Sequence, residues 1–189
     1  TFSIFDVKTR KHFKTLKTGK TPRGIAWIND STVAITLFGN GDLQVFNINT
    51  GKVIHTYQER GAMRDVRYDT TSKILYMGNM GTNLVYKYSW AEKKLLATEK
   101  VDSHPNTIKL TPDCKYLYVS CRGPNNPKGY VNRSPRNGEF SLIQTSDFKT
   151  LARWTAGNQP TGLDVSPNGA YLVATDFNDN MLNLYAISK

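Results

Sequence analysis

Short apolar stretches of five to seven residues, separated by clusters of Gly, Asn, Asp and Pro, recur along this chain, and four of them align. They are Thr21-Pro22-Arg23-Gly24-Ile25-Ala26-Trp27, Ala62-Met63-Arg64-Asp65-Val66-Arg67-Tyr68, His104-Pro105-Asn106-Thr107-Ile108-Lys109-Leu110 and Gln159-Pro160-Thr161-Gly162-Leu163-Asp164-Val165. Their second positions, Pro22, Met63, Pro105 and Pro160, lie 41, 42 and 55 residues apart. After each comes a turn and a second apolar stretch, at Ser31 to Leu37, Lys73 to Gly78, Lys115 to Ser120 and Ala170 to Thr175. A third follows at Leu43 to Ile48, Leu84 to Tyr88, Phe140 to Gln144 and Met181 to Ile187, and a fourth, as at Lys52 to Tyr57 or Thr150 to Thr155, closes the unit. Four strands of this length fill a period near 41 residues.

A meander of that kind is a small twisted sheet with two apolar faces, unstable alone and well buried when similar sheets stack around an axis. The pattern therefore predicts an all-β fold, a β-propeller of four-stranded antiparallel blades with about four blades present, forming one domain over residues 1–189. Its repeats run approximately over 1–18 (partial), 21–57, 62–99, 104–155 and 159–189 (incomplete). A stacked β-solenoid is the alternative, but its coils are shorter and lack this hairpin punctuation. Thr1 to Val7 resembles a third strand and Lys11 to Lys17 a fourth, whereas the last repeat stops after a third strand. Closing four blades would leave Thr1 to Val7 surplus, so the expectation is a part of a larger ring whose two free blade faces favour self-association.

Composition adds little to the fold and more to the choice of partners. The formal charge of +10 and pI near 9.6 attract anions of many kinds. Yet Lys8, Arg10, Lys11, Lys93, Lys94 and Lys149 are scattered over turns, which reads as a solvated basic surface rather than a phosphate-tracking stripe, and nucleic acid is disfavoured as a partner. Cys114 and Cys121 flank an extended segment that holds them beyond disulfide reach. Unpaired thiols lean toward a reducing compartment, so a cytoplasmic location stays open. No apolar run has the length of a transmembrane helix and no signal peptide is visible, although a leader before Thr1 stays open too.

Pro105 to Ser120 reads Pro-Asn-Thr-Ile-Lys-Leu-Thr-Pro-Asp-Cys-Lys-Tyr-Leu-Tyr-Val-Ser, and Pro160 to Ala174 is similar, with Ser166-Pro167-Asn168-Gly169 at its turn. These segments resemble the YVTN family of β-propellers, with units of the form P-x-x-h-x-h-S-P-D-G-K-x-h-Y-V where h is hydrophobic. The first two repeats match more loosely. The resemblance implies a seven-bladed propeller of the surface-layer-like or lactonase-like kind, often secreted, periplasmic or on the cell surface. The WD-repeat signature is absent. Where the family turn carries Gly this chain has Cys114 in one repeat, which reads as a turn residue in a left-handed conformation and not as a nucleophile.

Antiparallel strands bring the start of each first strand and the end of each second strand to one rim. Arg23, Arg64, Asn106 and Thr161 fall there with Asn40, Asn79, Arg122 and Asp176, and because the family places its first strand along the axis, this set would ring a central funnel. The extra length of the third repeat lies on the same rim, in an insertion over 122–138 that carries Arg122, Lys128, Tyr130, Arg133 and Arg136. Long loops on a rigid scaffold commonly hold recognition residues, although an inert insertion explains the length equally well. The candidate partner-binding residues are thus Arg23, Arg64, Asn106, Asn79, Arg122, Lys128, Tyr130, Arg133, Arg136 and Asp176, receiving an acidic protein, a glycan or a phosphate-bearing ligand.

Other residues read more plainly. Trp27, Trp90 and Trp154 suit packing between blades. His12, His55 and His104 lack the spacing of a local metal pair, and Asp176-Phe177-Asn178-Asp179-Asn180 lacks the calcium-loop pattern, so no metal, cofactor or catalytic residue is expected. The sequence thus favours a non-catalytic binding or scaffold propeller of the cell envelope, engaging a protein, an envelope polymer, further blades or another copy of the chain. The alternative is a lactonase-like hydrolase with catalytic residues partly in other blades.

Overall fold

The computed structural model describes residues 1–187, which form seventeen strands in five antiparallel sheets with no helix among them; residues 188 and 189 of the last repeat lie outside the described residues. β1 (Phe2–Asp6) and β2 (Lys11–Leu16) make a hairpin. Three four-stranded sheets follow. The first is β3 (Pro22–Asn29), β4 (Thr32–Leu37), β5 (Leu43–Asn47) and β6 (Lys52–Tyr57); the second is β7 (Met63–Asp69), β8 (Ile74–Asn79), β9 (Leu84–Ser89) and β10 (Lys94–Lys100). The third is β11 (Pro105–Leu110), β12 (Tyr116–Cys121), β13 (Glu139–Gln144) and β14 (Lys149–Thr155), and a three-stranded sheet of β15 (Pro160–Val165), β16 (Tyr171–Asp176) and β17 (Met181–Ala186) ends the fold.

The core lies between sheets and not within them. All six residues of β4 are buried because its alternating side chains serve two interfaces. Val33, Ile35 and Leu37 pack with Phe46 against Phe2, Ile4 and Leu16 of the hairpin, whereas Ala34 joins Leu43 and Val45 against Met63, Val66, Leu75 and Met77 of the second sheet. In β8, likewise, Leu75 and Met77 face the first sheet while Ile74 and Tyr76 meet Ile108, Leu117 and Val119 of the third. Burying one such side chain is worth about 1.5–3 kcal/mol, so stability comes from stacking sheets. The β10 strand, by contrast, alternates exposed and half-buried residues, as an outermost strand should.

First strands of consecutive sheets lie against one another, β3 on β7, β7 on β11 and β11 on β15, which makes them the innermost strands of a propeller. Trp90 and Trp154 pack between sheets, the latter with its ring centroid 5.6 Å from that of Phe140. Trp27 does not follow the expectation: it is 53% exposed, because the hairpin covers β4 and β5 but leaves Ile25 and Trp27 of β3 open. At the other end Tyr171, Leu182 and Leu184 share an open face of the last sheet. Cys114 has φ 56°, matching Gly169 at φ 70° in the equivalent turn, and both cysteines are free. No helix long and apolar enough to cross a membrane occurs among the described residues.

Candidate functional site at the loop rim

Backbone hydrogen bonds bring the two sets of loops together. The amides of Phe38, Met80, Arg122 and Phe177 donate to the carbonyls of Thr21, Ala62, His104 and Gln159, at 2.9, 2.9, 3.1 and 3.0 Å. The residues equivalent to Arg122 are therefore Phe38, Met80 and Phe177, and not Asn40, Asn79 and Asp176. A displacement of one residue at a strand end turns the side chain to the opposite face. Asn79, fully buried, ties its own loop: Oδ1 accepts from the amides of Ala62 (2.9 Å) and Gly81 (3.0 Å), and Nδ2 donates to Arg60 O (2.9 Å). Asp176, 2% exposed, is equally internal.

The first strands enter the rim through a repeated irregularity. Thr21, His104 and Gln159 have positive φ (52°, 59° and 57°), and the strand register slips immediately after, between Pro22 and Ile25, Met63 and Asp65, Pro105 and Thr107, and Pro160 and Leu163. Such bulges re-aim side chains. Here they set Arg23, Arg64 and Asn106 at the mouth of the axis, along adjoining hollows of about 350 and 320 Å³.

Arg23, Arg64 and Arg122 share the larger recess with Phe38, Met80 and Tyr130. The Arg23 guanidinium lies 5.4 Å from the Phe38 ring centroid and that of Arg122 lies 5.5 Å from Tyr130, within cation–π range. Arg64 Nε donates to Asn106 Oδ1 at 2.7 Å. Arg122 Nη2 donates to Tyr130 O at 3.1 Å and to Gln159 Oε1. Burial pushes the Arg64 guanidinium below its ordinary pKa, and the neighbouring charges of Arg23 and Arg122 push it further; burial lowers Arg122 too. The carboxylate at the edge, Asp65, is already engaged: it accepts from Arg67 Nη1 (2.8 Å) and from the amides of Val66 (2.9 Å) and Ile108 (3.0 Å).

The insertion over 122–138 is fastened down. Arg136 grips Asp102 through both terminal nitrogens, at 2.8 and 2.5 Å, and Arg133 pairs with Asp179. Burial works to raise the Asp102 carboxyl, yet hydrogen bonds from Arg136 and Ser103 outweigh it and hold the group below its usual range. Ser134 is buried, its amide donating to Asn158 Oδ1 at 2.9 Å. Arg122 and Tyr130 thus enter the recess, whereas Arg133 and Arg136 serve as tethers and Lys128 stands exposed outside it. Phe38 and Met80 escaped sequence reasoning; the signal available was their position next after the second strand, the place Arg122 occupies in its own repeat. The three histidines lie apart, His12 on β2, His55 on β6 against Tyr88 and His104 at the rim, where Nδ1 sits 2.8 Å from Gly123 O. Among the described residues no three His, Cys, Asp or Glu side chains group around a common metal position.

The family described as "Lactonase, 7-bladed beta-propeller" matches residues 10–189. Antigen Lp49 of Leptospira interrogans serogroup Icterohaemorrhagiae serovar copenhageni (strain Fiocruz L1-130) is 38% identical over 193 residues, covering 97% of this chain and 42% of its own. The chain thus spans less than half the length of that relative. Among solved structures, Kuenenia stuttgartiensis hydrazine synthase superposes with a TM-score of 0.71 over 92% of this chain and 51% of its own, at 21% identity, a likeness of fold alone.

Proposed function

The chain belongs to the lactonase family of seven-bladed β-propellers, and we propose that it is a non-catalytic binding and scaffold propeller of the cell envelope or surface, engaging a protein or envelope polymer through this rim. The composition of the recess supports the reading most directly: three guanidinium groups, two of them stacked on aromatic rings, beside Met80. Arg and aromatic side chains carry a large share of binding energy at protein interfaces. The carboxylate at the edge, Asp65, accepts from Arg67 and from two backbone amides, which suits a structural role better than that of a general base. The name of the 38% identical relative, an antigen, fits display at a cell surface. The open faces at Trp27 and Leu184 suit further blades or another copy of the chain.

Lactone hydrolysis is the second reading, favoured by the family description. The discriminating experiment compares capture of envelope components by wild type, by Arg23→Ser/Arg64→Ser/Arg122→Ser and by Lys128→Ser. Capture lost only in the triple variant is the expected result. Equal capture by all three, or lactone opening by the wild type that disappears in Asp65→Asn, would sink the binding reading.

A further inference from the structure

Two buried donors at this rim have no acceptor: Asn106 Nδ2 and Arg122 Nε are both shielded from solvent and unpartnered among the described residues. A polar hydrogen in that situation is destabilising, and in native structures such groups usually point to a missing partner. The orphaned amide is oriented by its other end, because Arg64 Nε donates to Asn106 Oδ1 and leaves Nδ2 turned away as a donor. Around these two atoms stand further unused donors. Among the described residues Arg64 makes one side-chain hydrogen bond, through Nε, and Arg23 makes none, lying over Phe38 instead. Three like charges therefore converge, with the nearest carboxylate already neutralised by Arg67.

We infer that the mouth between Arg23, Arg64 and Arg122 binds a phosphate group of a ligand. The inference rests on the reading that this rim is the binding face, and it names the ligand chemistry. Donors come from three successive sheets: Arg23 of the first, Arg64 of the second and Arg122 of the third line one hollow, and Asn106 of the third lines the adjoining hollow that Arg23 and Arg64 also border, so a group seated there is met from more than one direction. A planar carboxylate presents its lone pairs in one plane and suits a single guanidinium fork. A tetrahedral phosphate spreads its oxygens over several directions and suits this arrangement. The volume of about 350 Å³ exceeds that of one phosphate and leaves the Phe38 and Tyr130 rings to flank whatever the phosphate is attached to.

Inorganic phosphate is the probe. Thermal unfolding is followed at rising phosphate with ionic strength held constant by potassium chloride, and acetate is run in parallel. Stabilisation that grows with the logarithm of phosphate concentration is expected, with no response to acetate. Arg23→Gln alters an exposed side chain that makes no hydrogen bond among the described residues, so it preserves the fold; it should weaken phosphate binding at least fivefold. Lys128→Gln, outside the recess, should bind phosphate as the wild type does. No response beyond that to chloride, acetate acting as strongly as phosphate, or equal losses in Arg23→Gln and Lys128→Gln would each overturn the assignment. Rim-dependent capture of a partner without phosphate binding would overturn this inference alone. Phosphate binding lost in Arg23→Gln, with capture untouched by rim substitutions, would overturn the proposed function alone.

Discussion

Replacing Asp176 by Asn should stabilise the protein, and the reason lies in a comparison between two repeats. Asp176 and Asn79 occupy the same place, each closing a second strand opposite the first residue of a first strand, Pro160 and Met63. Asn79 uses both ends of its amide, accepting two backbone hydrogen bonds and donating one to Arg60 O. Asp176 Oδ2 accepts from Asn183 Nδ2, but Oδ1 is buried with no hydrogen-bond partner among the described residues. Asp179 lies close by: a Cβ on Gly157 would touch Asp176 and would fall 2.8 Å from Asp179 Oδ2. Burial first, and then the Asp179 charge, raise the Asp176 carboxyl above its ordinary range. The folded state therefore holds this proton more tightly than the unfolded chain, whose carboxyl titrates near ~3.9. It follows that the group costs nothing below that pH and progressively destabilises the fold as pH rises from there through the raised folded value. An unsatisfied buried acceptor costs about 1–3 kcal/mol; an amide removes the charge and places a donor there, as Asn79 does in the second repeat, where Nδ2 reaches the backbone carbonyl of Arg60. For a chain of this size the Asp176→Asn variant should melt roughly 2–4 °C higher per kcal/mol gained. Far-UV circular dichroism melts at pH 4 and pH 7 check this: the gain should be present at pH 7 and shrink toward pH 4. A variant less stable than wild type at pH 7 would mean that the carboxylate is charged and specifically held, and the argument from burial would fail.

The remaining expectations concern packing, chemistry and association. Gly138→Ala would drive a Cβ into Cys121 O and the Pro160 ring, neither of which can swing aside, so a loss of about 1–3 kcal/mol in denaturant unfolding is expected. A thiol reagent should modify half-buried Cys114 before fully buried Cys121, and slowly in both, since burial raises both thiols; rapid labelling of Cys121 in the native protein would contradict the core described for the second and third sheets. Light scattering on the 189-residue chain should show concentration-dependent association, and Leu184→Ser, on an open face where that side chain is 65% exposed, should reduce it without lowering the melting temperature.

What the sequence made legible was whatever repeats. Period and turn residues announce four-stranded units because each strand has to bury a side chain on alternate positions, and Cys114 could be placed in a left-handed turn because Gly169 marks the same turn in the next repeat. The site was half legible. Arg23, Arg64 and Asn106 could be placed at the rim because they follow an aligned first-strand start. The second-strand partners were misplaced for a physical reason: β8 and β16 each run one residue beyond their apolar stretch, and a single residue exchanges the buried Asn79 and Asp176 for the rim positions of Met80 and Phe177. The fate of the insertion was illegible altogether. Nothing local to Arg133 or Arg136 reveals that Asp179 and Asp102, distant in sequence, would capture them.

The scaffold and the recess also differ in how they use the repeat. Each sheet offers the rim one side chain from its first strand and one from the residue after its second, giving Arg23 with Phe38, Arg64 with Met80, Asn106 with Arg122 and Thr161 with Phe177. In the first two sheets the cation comes from the first strand and the apolar group from the loop. In the third the cation, Arg122, comes from the loop and the first strand offers the amide of Asn106. That change puts Arg122 beside Arg64 and frees Asn106 to accept from Arg64 Nε. The insertion then supplies Tyr130 to cover the guanidinium that the change introduced, while its other two arginines hold the loop in place. Arg122, Asn106 and Tyr130 therefore all arise where the third sheet departs from its neighbours, and they meet Arg23, Phe38, Arg64 and Met80 of the first two. Exchanging residues 122–138 for a short turn of the kind that follows β8 should accordingly remove the recess and, although the inter-sheet clusters draw no residue from that loop, lower the melting temperature, because buried Asn158 and Gln159 and the Asp102 carboxylate lose their partners.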